Sequence, residues 1–304
     1  MSASSRLTVG VVGAGRVGAV LGAALQAAGH RVVAAAAVSA ASRERAARLL
    51  PQAAILPADE VARAADDLLL LAVPDDALGA VVSGLAATGA LRPGQKVAHT
   101  SGAHGLAVLG DVEGLALHPA MTFTGAGADL DRLPGIAWGI TTADRVFATR
   151  LVADLGGVPE WVAEDARPVY HAALAHGANH LVTLVNEASD LLRAAGVEAP
   201  SRVLSPLLHA ALDNALRLGD AALTGPVSRG DAGTVGKHLD RMPPEAVPAY
   251  LALARRTADR AIAAGRLRPH DAALLLRVLS STQETTRTGR KANAEERGAV
   301  GSPA

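Results

Sequence analysis

Short, almost uninterrupted apolar runs alternate with longer amphipathic stretches over the first half of the chain. LTVGVV (Leu7 to Val12), RVVAAAAV (Arg31 to Val38), LLLLAV (Leu68 to Val73) and KVAHT (Lys96 to Thr100) are the clearest runs. Continuous apolarity predicts strands of a parallel sheet covered on both faces, because a sheet with one wet face would alternate apolar and polar positions. Segments such as SRERAARLL lie between them and complete βαβ units. GLALH and GIAWGIT predict two further strands.

Beyond Asp165 the pattern becomes helical. Arg167 to Ala195 predicts one long helix ended by Gly196, and Pro200 suits the first turn of the next, which runs to about Leu218. The glycine-rich LTGPVSRGDAG separates it from further helices, and Thr285 to Ala304 is polar and aperiodic, as in a frayed tail. The expected fold is therefore α/β, a doubly wound and mainly parallel sheet over 6–165, followed by an all-α domain over 166–285 and a tail over 286–304.

Composition narrows the function. Lys plus Arg number 29 against 29 Asp plus Glu, so no net charge invites a polyanionic partner. With two each of Trp, Tyr and Phe there is no aromatic platform for stacking bases, and nucleic acid is not an expected partner. The absence of cysteine rules out disulfides, thiolate nucleophiles and zinc–thiolate sites. No apolar run reaches the roughly 18 residues of a membrane helix, and the apolar start is broken by Arg16, too early for a signal peptide. The expectation is a cytoplasmic protein with no membrane partner. No H-E-x-x-H or similar spacing occurs, so no metal is expected.

VVGAGRVG places G-x-G-x-x-G at Gly13, Gly15 and Gly18, between a predicted strand and an apolar helix closed by Gly29. Among 31 glycines the spacing alone means little; its place in a βα unit gives it weight. The first glycine permits the tight turn, the second lets a pyrophosphate approach the backbone, and the third brings helix and strand together. Gly13, Ala14, Gly15, Arg16, Val17 and Gly18 are thus expected around a dinucleotide at the helix N-terminus. The second strand ends AAVSAASRERA, with no acid before Glu44 to hold a free ribose. Ser39, Ser42 and Arg43 stand there instead and suit a 2′-phosphate, which favours NADP(H) over NAD(H).

Ligands of such sheets lie beyond the carboxyl ends of the strands. Val73, Pro74 and Asp75 follow one strand and are expected near the cofactor, with N-capping of the next helix the favoured use for Asp75. Ser101 and Gly102 follow the next. In LHPAMTF, Pro119 limits further pairing and presents His118 at the sheet edge, where an imidazole can exchange a proton near neutral pH. On the long predicted helix, His171, Asn179 and Asn186 fall within roughly an 80° arc at about 100° per residue, beside small Ala175 and Ala178. In LTGPVSRGD, Arg229, with Thr224 nearby, is expected to take a substrate carboxylate, and Asp231 to cap the next helix.

VVGAGRVG, LLAVPDDAL, HTSG, LHPAMTF, HAALAHGANHLVTL and LTGPVSRGD together resemble an uncharacterised bacterial family. That family pairs a Rossmann-like domain with a helical domain of unknown function 2520. It stands among relatives of 6-phosphogluconate dehydrogenase, pyrroline-5-carboxylate reductase, ketopantoate reductase and prephenate dehydrogenase. The resemblance spans Arg6 to Thr285 and implies hydride transfer with NADP(H), and a homodimer formed through the helical domain. Prephenate dehydrogenases carry a serine after a strand and then a His-Pro pair, to which Ser101 and His118 are similar. Ketopantoate reductases carry a lysine with asparagines four and eight residues on; here His171, Ala175 and Asn179 stand in those places, so only the last agrees.

The resulting expectation is an NADP(H)-dependent oxidoreductase of a small carboxylate-bearing carbonyl or imine. His118 is the expected acid/base with His171 competing, Ser101 and Asn179 hold the reacting oxygen, and Arg229, Thr224 and Asn186 bind substrate. A non-catalytic NADPH sensor is the alternative, and the strand-end histidine argues against it, since a sensor needs no proton donor there.

Overall fold

The computed structural model describes residues 6–281 of the 304-residue chain. The tail expected at 286–304 lies outside the described residues. The chain divides into two compact units that meet between Asn179 and His180.

The first unit holds an eight-stranded sheet. Its elements in chain order are β1 (Thr8–Val12), α1 (Arg16–Ala27), β2 (Arg31–Ala36), α2 (Ala40–Leu49), β3 (Ala54–Ile55), α3 (Ala58–Ala64), β4 (Leu68–Leu71), α4 (Asp75–Ala87), β5 (Lys96–His99), β6 (Gly114–Pro119), β7 (Ala137–Thr141), α5 (Arg145–Asp154), β8 (Val158–Trp161) and α6 (Arg167–Leu174). The strands lie in the order β3-β2-β1-β4-β5-β6-β7-β8. Pairing is parallel except between β6 and β7, where the chain reverses. Strand order switches direction beside β1, and the crevice past the carboxyl ends of β1 and β4 is where such sheets receive ligands.

Apolar continuity has the expected cause. Val9, Val11, Leu68 and Leu70 join one buried cluster with α1, whereas Val12, Leu69 and Leu71 join another with Val61, Leu78 and Val82 of α3 and α4. Both faces of the central strands are therefore dry. β2 stops at Ala36 instead of Val38, whose side chain is exposed. β3, within the short run AAIL, and β8 were not among the expected strands; they are short edge pieces with mostly exposed side chains.

The long helix expected from Arg167 to Ala195 is interrupted. α6 ends at Leu174, a π-helical turn covers Ala175–Asn179, and α7 (His180–Ala194) follows. The π turn contains Gly177, the weakest helix former of the stretch. The first unit also runs past the expected boundary at Asp165, because α6 is bound to the sheet by Arg167 and Tyr170.

The second unit contains α7, α8 (Pro200–Leu218), α9 (Gly225–Ser228), α10 (Ala232–Arg241), α11 (Val247–Ala263) and a helix over 269–281. Val235, Leu251, Ala258 and Leu275 centre its core. No described helix is long and apolar enough to cross a membrane.

Candidate functional site

The turn after β1 has the backbone that its glycines demand. Gly13 has φ +96°, and a Cβ there would stand 2.6 Å from the Ala72 carbonyl oxygen. A Cβ on Gly18 would strike the Gly13 carbonyl, so α1 packs against β1 only without one. Gly15 caps α1 with no side-chain hydrogen bond and has open space above it. The amides of Gly13 and Ala14 are already used by Ala36 O, at 3.2 and 2.9 Å. The amides left without a helical partner at this turn are those of the first turn of α1, which begins Arg16, Val17, Gly18, and such a turn can receive an anion.

Past β2, Ser39 caps α2 by accepting from the Ser42 amide at 3.1 Å, and the Ser42 hydroxyl donates to Ser39 O at 2.8 Å. Arg43 Nη1 donates to Val38 O at 2.5 Å, which holds its exposed guanidinium over the end of β2. Past β4, Val73 packs near Gly13, and Pro74 is the N-cap of α4. Asp75 is thus the first helical residue and not the cap, a correction that follows from proline's fixed φ suiting the position before the helix. Its carboxylate still lies in the first turn, where the helix dipole favours it.

β5, β6 and α6 bring the second group together. β6 runs one residue past His118, with Pro119 opposite Trp138 of β7. β5 has already ended opposite Ala116 on the other side, so the missing N–H of Pro119 removes no ladder bond. His118 Nδ1 lies 3.0 Å from Tyr170 Oη, and the His118 and His171 rings meet edge to face at 6.1 Å. Gly102 lies beneath both: a Cβ would stand 2.7 Å from His171 Cδ2 and 3.0 Å from His118 Nε2. His118, Met121, Thr122, His171, Ala178 and Asn179 line a cavity of about 200 Å³ whose far wall is the π turn. Such turns recur at functional sites, since the extra residue re-aims the side chains around it.

Burial, and then the neighbouring His171 and Arg167, push the His118 pKa down to about 4. The ring is therefore neutral at neutral pH, able to accept a proton or to donate a hydrogen bond from its N–H. Ser101 is buried; its hydroxyl accepts from the amides of Ala103 and His104 at 3.2 and 3.1 Å, which sets the turn that carries Gly102.

Arg167, Tyr170 and His99 were not singled out from the sequence. Arg167 is fully buried and donates to Thr141 Oγ1 and to the carbonyls of Ser101, Ala116 and Gly139. His99 is buried too, and its Nε2 meets Gly105 O at 2.9 Å. Only the rarity of tyrosine, two in the chain and one beside His171, hinted at any of them.

The remaining candidates belong to the helical unit. Thr224 and Arg229 line an open depression with Ser228 and Arg266. Asp231 caps α10, accepting from the Thr234 amide at 3.0 Å. Asn186 is exposed on α7, whereas His171 and Asn179 fall in the first unit; the interrupted helix ends the single arc that grouped them.

Sheet order and glycine turn define a Rossmann-like protein with a helical C-terminal region. Residues 2–119 match the Rossmann-like domain, and residues 136–257 match the domain of unknown function DUF2520. The two matches follow one another along the chain in this order. No curated protein matches it in sequence. Among solved structures it is similar to a Bacteroides fragilis protein provisionally described as an NADP oxidoreductase (TM-score 0.72, 22% identity, 84% of this chain and 98% of that one). It is also similar to Plasmodium falciparum pyrroline carboxylate reductase with NADP bound (0.55, 10%, 88% and 98%). A third is an NADH-preferring ketol-acid reductoisomerase from an uncultured archaeon (0.56, 15%, 96% and 94%). At these identities the likeness is one of fold.

Proposed function

We propose that the protein is an NADP(H)-dependent oxidoreductase that moves a hydride to or from a small carboxylate-bearing carbonyl or imine. A ketopantoate-like 2-oxo acid is the first substrate to try. The observation that carries this reading is a single unit holding both a dinucleotide turn and a cavity walled by His118, His171 and Asn179. The names of the Bacteroides and Plasmodium proteins support the reductase class. Because the archaeal protein prefers NADH, the choice of cofactor rests on this chain's own residues.

The residues fit the dinucleotide: α1 starts with an uncapped turn at Gly15, and Arg43, Ser39 and Ser42 gather beyond β2. The nicotinamide of bound NADP(H) supplies the hydride chemistry. In the reductive direction the N–H of the neutral His118 polarises the carbonyl or imine, with water supplying the proton that the reduced atom takes up; in the oxidative direction the same proton returns to water. His171 and Asn179 hold the reacting atom from α6 and the π turn, and Ser101 acts by fixing the Gly102 turn. On the helical unit, the guanidinium of Arg229 beside Arg266 and Thr224 suits a carboxylate.

NADPH oxidation across a panel of 2-oxo acids and cyclic imines tests this reading. Against the substrate so found, His118→Ala is expected to lose about 10²- to 10⁴-fold in kcat, with NADPH affinity unchanged. Full turnover without the imidazole rejects its role. Tight NADPH binding with no turnover on any compound favours the sensor instead.

Arg43→Ala is expected to weaken NADPH binding about tenfold or more, since a hydrogen bond to a charged group contributes roughly 1.5–3 kcal/mol. NADH binding should hardly change, and equal losses for both nucleotides overturn the assignment to the 2′-phosphate.

The same reading includes a homodimer through the helical unit. α7 exposes Leu181, Val182 and Leu184, and α8 exposes Val203, Leu207, Leu212 and Leu216. Exposed apolar side chains along both helices support that reading. Light scattering should give twice the chain mass, reduced to one by Leu212→Asp with Leu216→Asp; a wild-type monomer at micromolar concentration counts against it.

A further inference from the structure

β7 sets Gly139 directly across the ladder from His118. A Cβ on Gly139 would stand 2.5 Å from Tyr170 Cζ and would strike the hydroxyl itself. The slot left by the absent side chain is what the phenol fills, and from there it meets His118 Nδ1 at 3.0 Å, with the rings edge-on at 87°. Tyr170 is not a swinging group. It sits one turn after Arg167, whose guanidinium ties the start of α6 to β6 and β7. With Nδ1 engaged, Nε2 is the nitrogen left at the Gly102 edge of the ring.

We propose that Tyr170 is a positioning residue that fixes the tautomer of His118: its O–H donates to Nδ1, so the neutral imidazole carries its proton on Nε2. The reactive consequence rests on the oxidoreductase reading above. Burial raises the Tyr170 pKa, so the phenol keeps its proton, and the Gly139 amide beside its oxygen leaves the O–H to point at the ring. An Nε2–H can donate to a carbonyl oxygen or imine nitrogen and draw charge towards that atom as it is reduced. The other tautomer would set a lone pair against a lone pair. Tyr170 thereby makes the histidine a donor to an electrophile.

Nitrogen-15 spectroscopy of histidine-labelled full-length protein at neutral pH tests this without any substrate, with His118 assigned by the resonances lost in His118→Gln. His99 is an internal reference: its Nε2 donates to Gly105 O, and its Nδ1 is buried with no hydrogen-bond partner among the described residues. The expected result is an Nε2–H tautomer for both rings, with the His118 Nδ1 resonance displaced from that of His99 by its hydrogen bond. In Tyr170→Phe that resonance should move towards the His99 position while NADPH binding is retained. A wild-type ring protonated on Nδ1 overturns the proposal, and so does an Nδ1 resonance unmoved by Tyr170→Phe. Loss of the oxidoreductase reading would show separately, as failure of the wild type to oxidise NADPH with any compound of the panel.

Discussion

Arg167→Ala is expected to cost about 3 to 5 kcal/mol of folding stability, the sum of several buried acceptors left without a donor. The side chain is fully buried and has four acceptors: Thr141 Oγ1 at 2.8 Å, Ala116 O at 2.8 Å, Gly139 O at 3.1 Å and Ser101 O at 3.3 Å. Burial lowers the pKa of the guanidinium, and the neighbouring Tyr170 and Glu164 oppose that fall. Truncation would strand three backbone carbonyls in a dry interior, at roughly 1 to 3 kcal/mol for each that finds no water. Those carbonyls come from the Gly102 turn, β6 and β7, so the loss should also loosen the His118 cavity. Arg167→Lys should recover only part of the loss, since an ammonium cannot reproduce the planar fork. Urea denaturation reads both variants, and a loss for alanine below about 1 kcal/mol would mean that the burial seen here carries no such weight.

Acid should weaken the fold in a window set by two histidines. Burial is the main cause that lowers both His99 and His118 to about 4, from an ordinary value of 6.5. Between those values the unfolded chain binds more protons than the folded one, so stability is complete above 6.5 and declines as pH falls towards 4. Each ring is expected to remove about 2 kcal/mol by pH 5 and about 3 kcal/mol by pH 4. The carboxylates whose pKa is lowered in the fold, such as Glu164 and Asp144, add losses only below their ordinary values of 4.5 and 3.8. Urea midpoints followed from pH 7.5 to 5 therefore isolate the histidines. His118→Gln should remove about half of the slope, and a wild-type midpoint flat over that interval would falsify the assignment of two buried neutral rings.

The glycine turn, the parallel strands and the strand-end His118 were legible because each depends on residues close in the chain. A run such as LLLL records the dryness of both faces of β4, and G-x-G-x-x-G records one turn and one helix start. The arc of His171, Asn179 and Asn186 brought the first two to one cavity but not Asn186, because it assumed α-helical spacing through a segment that forms a π turn. Asp75 was read as a cap one position late, since the helix starts directly after Pro74.

By itself, then, the sequence determined the central strands of the sheet, the glycine turn and the histidine at the end of β6, all products of local spacing and side-chain polarity. Tertiary structure alone decided that Tyr170 reaches His118 across 52 residues and that Arg167, an ordinary surface type in the pattern, lies at the centre of the unit. The reason is that a polar side chain becomes buried where the fold happens to converge acceptors upon it. That convergence depends on strand register and on where α6 crosses the sheet, neither of which is written in any single stretch of the chain.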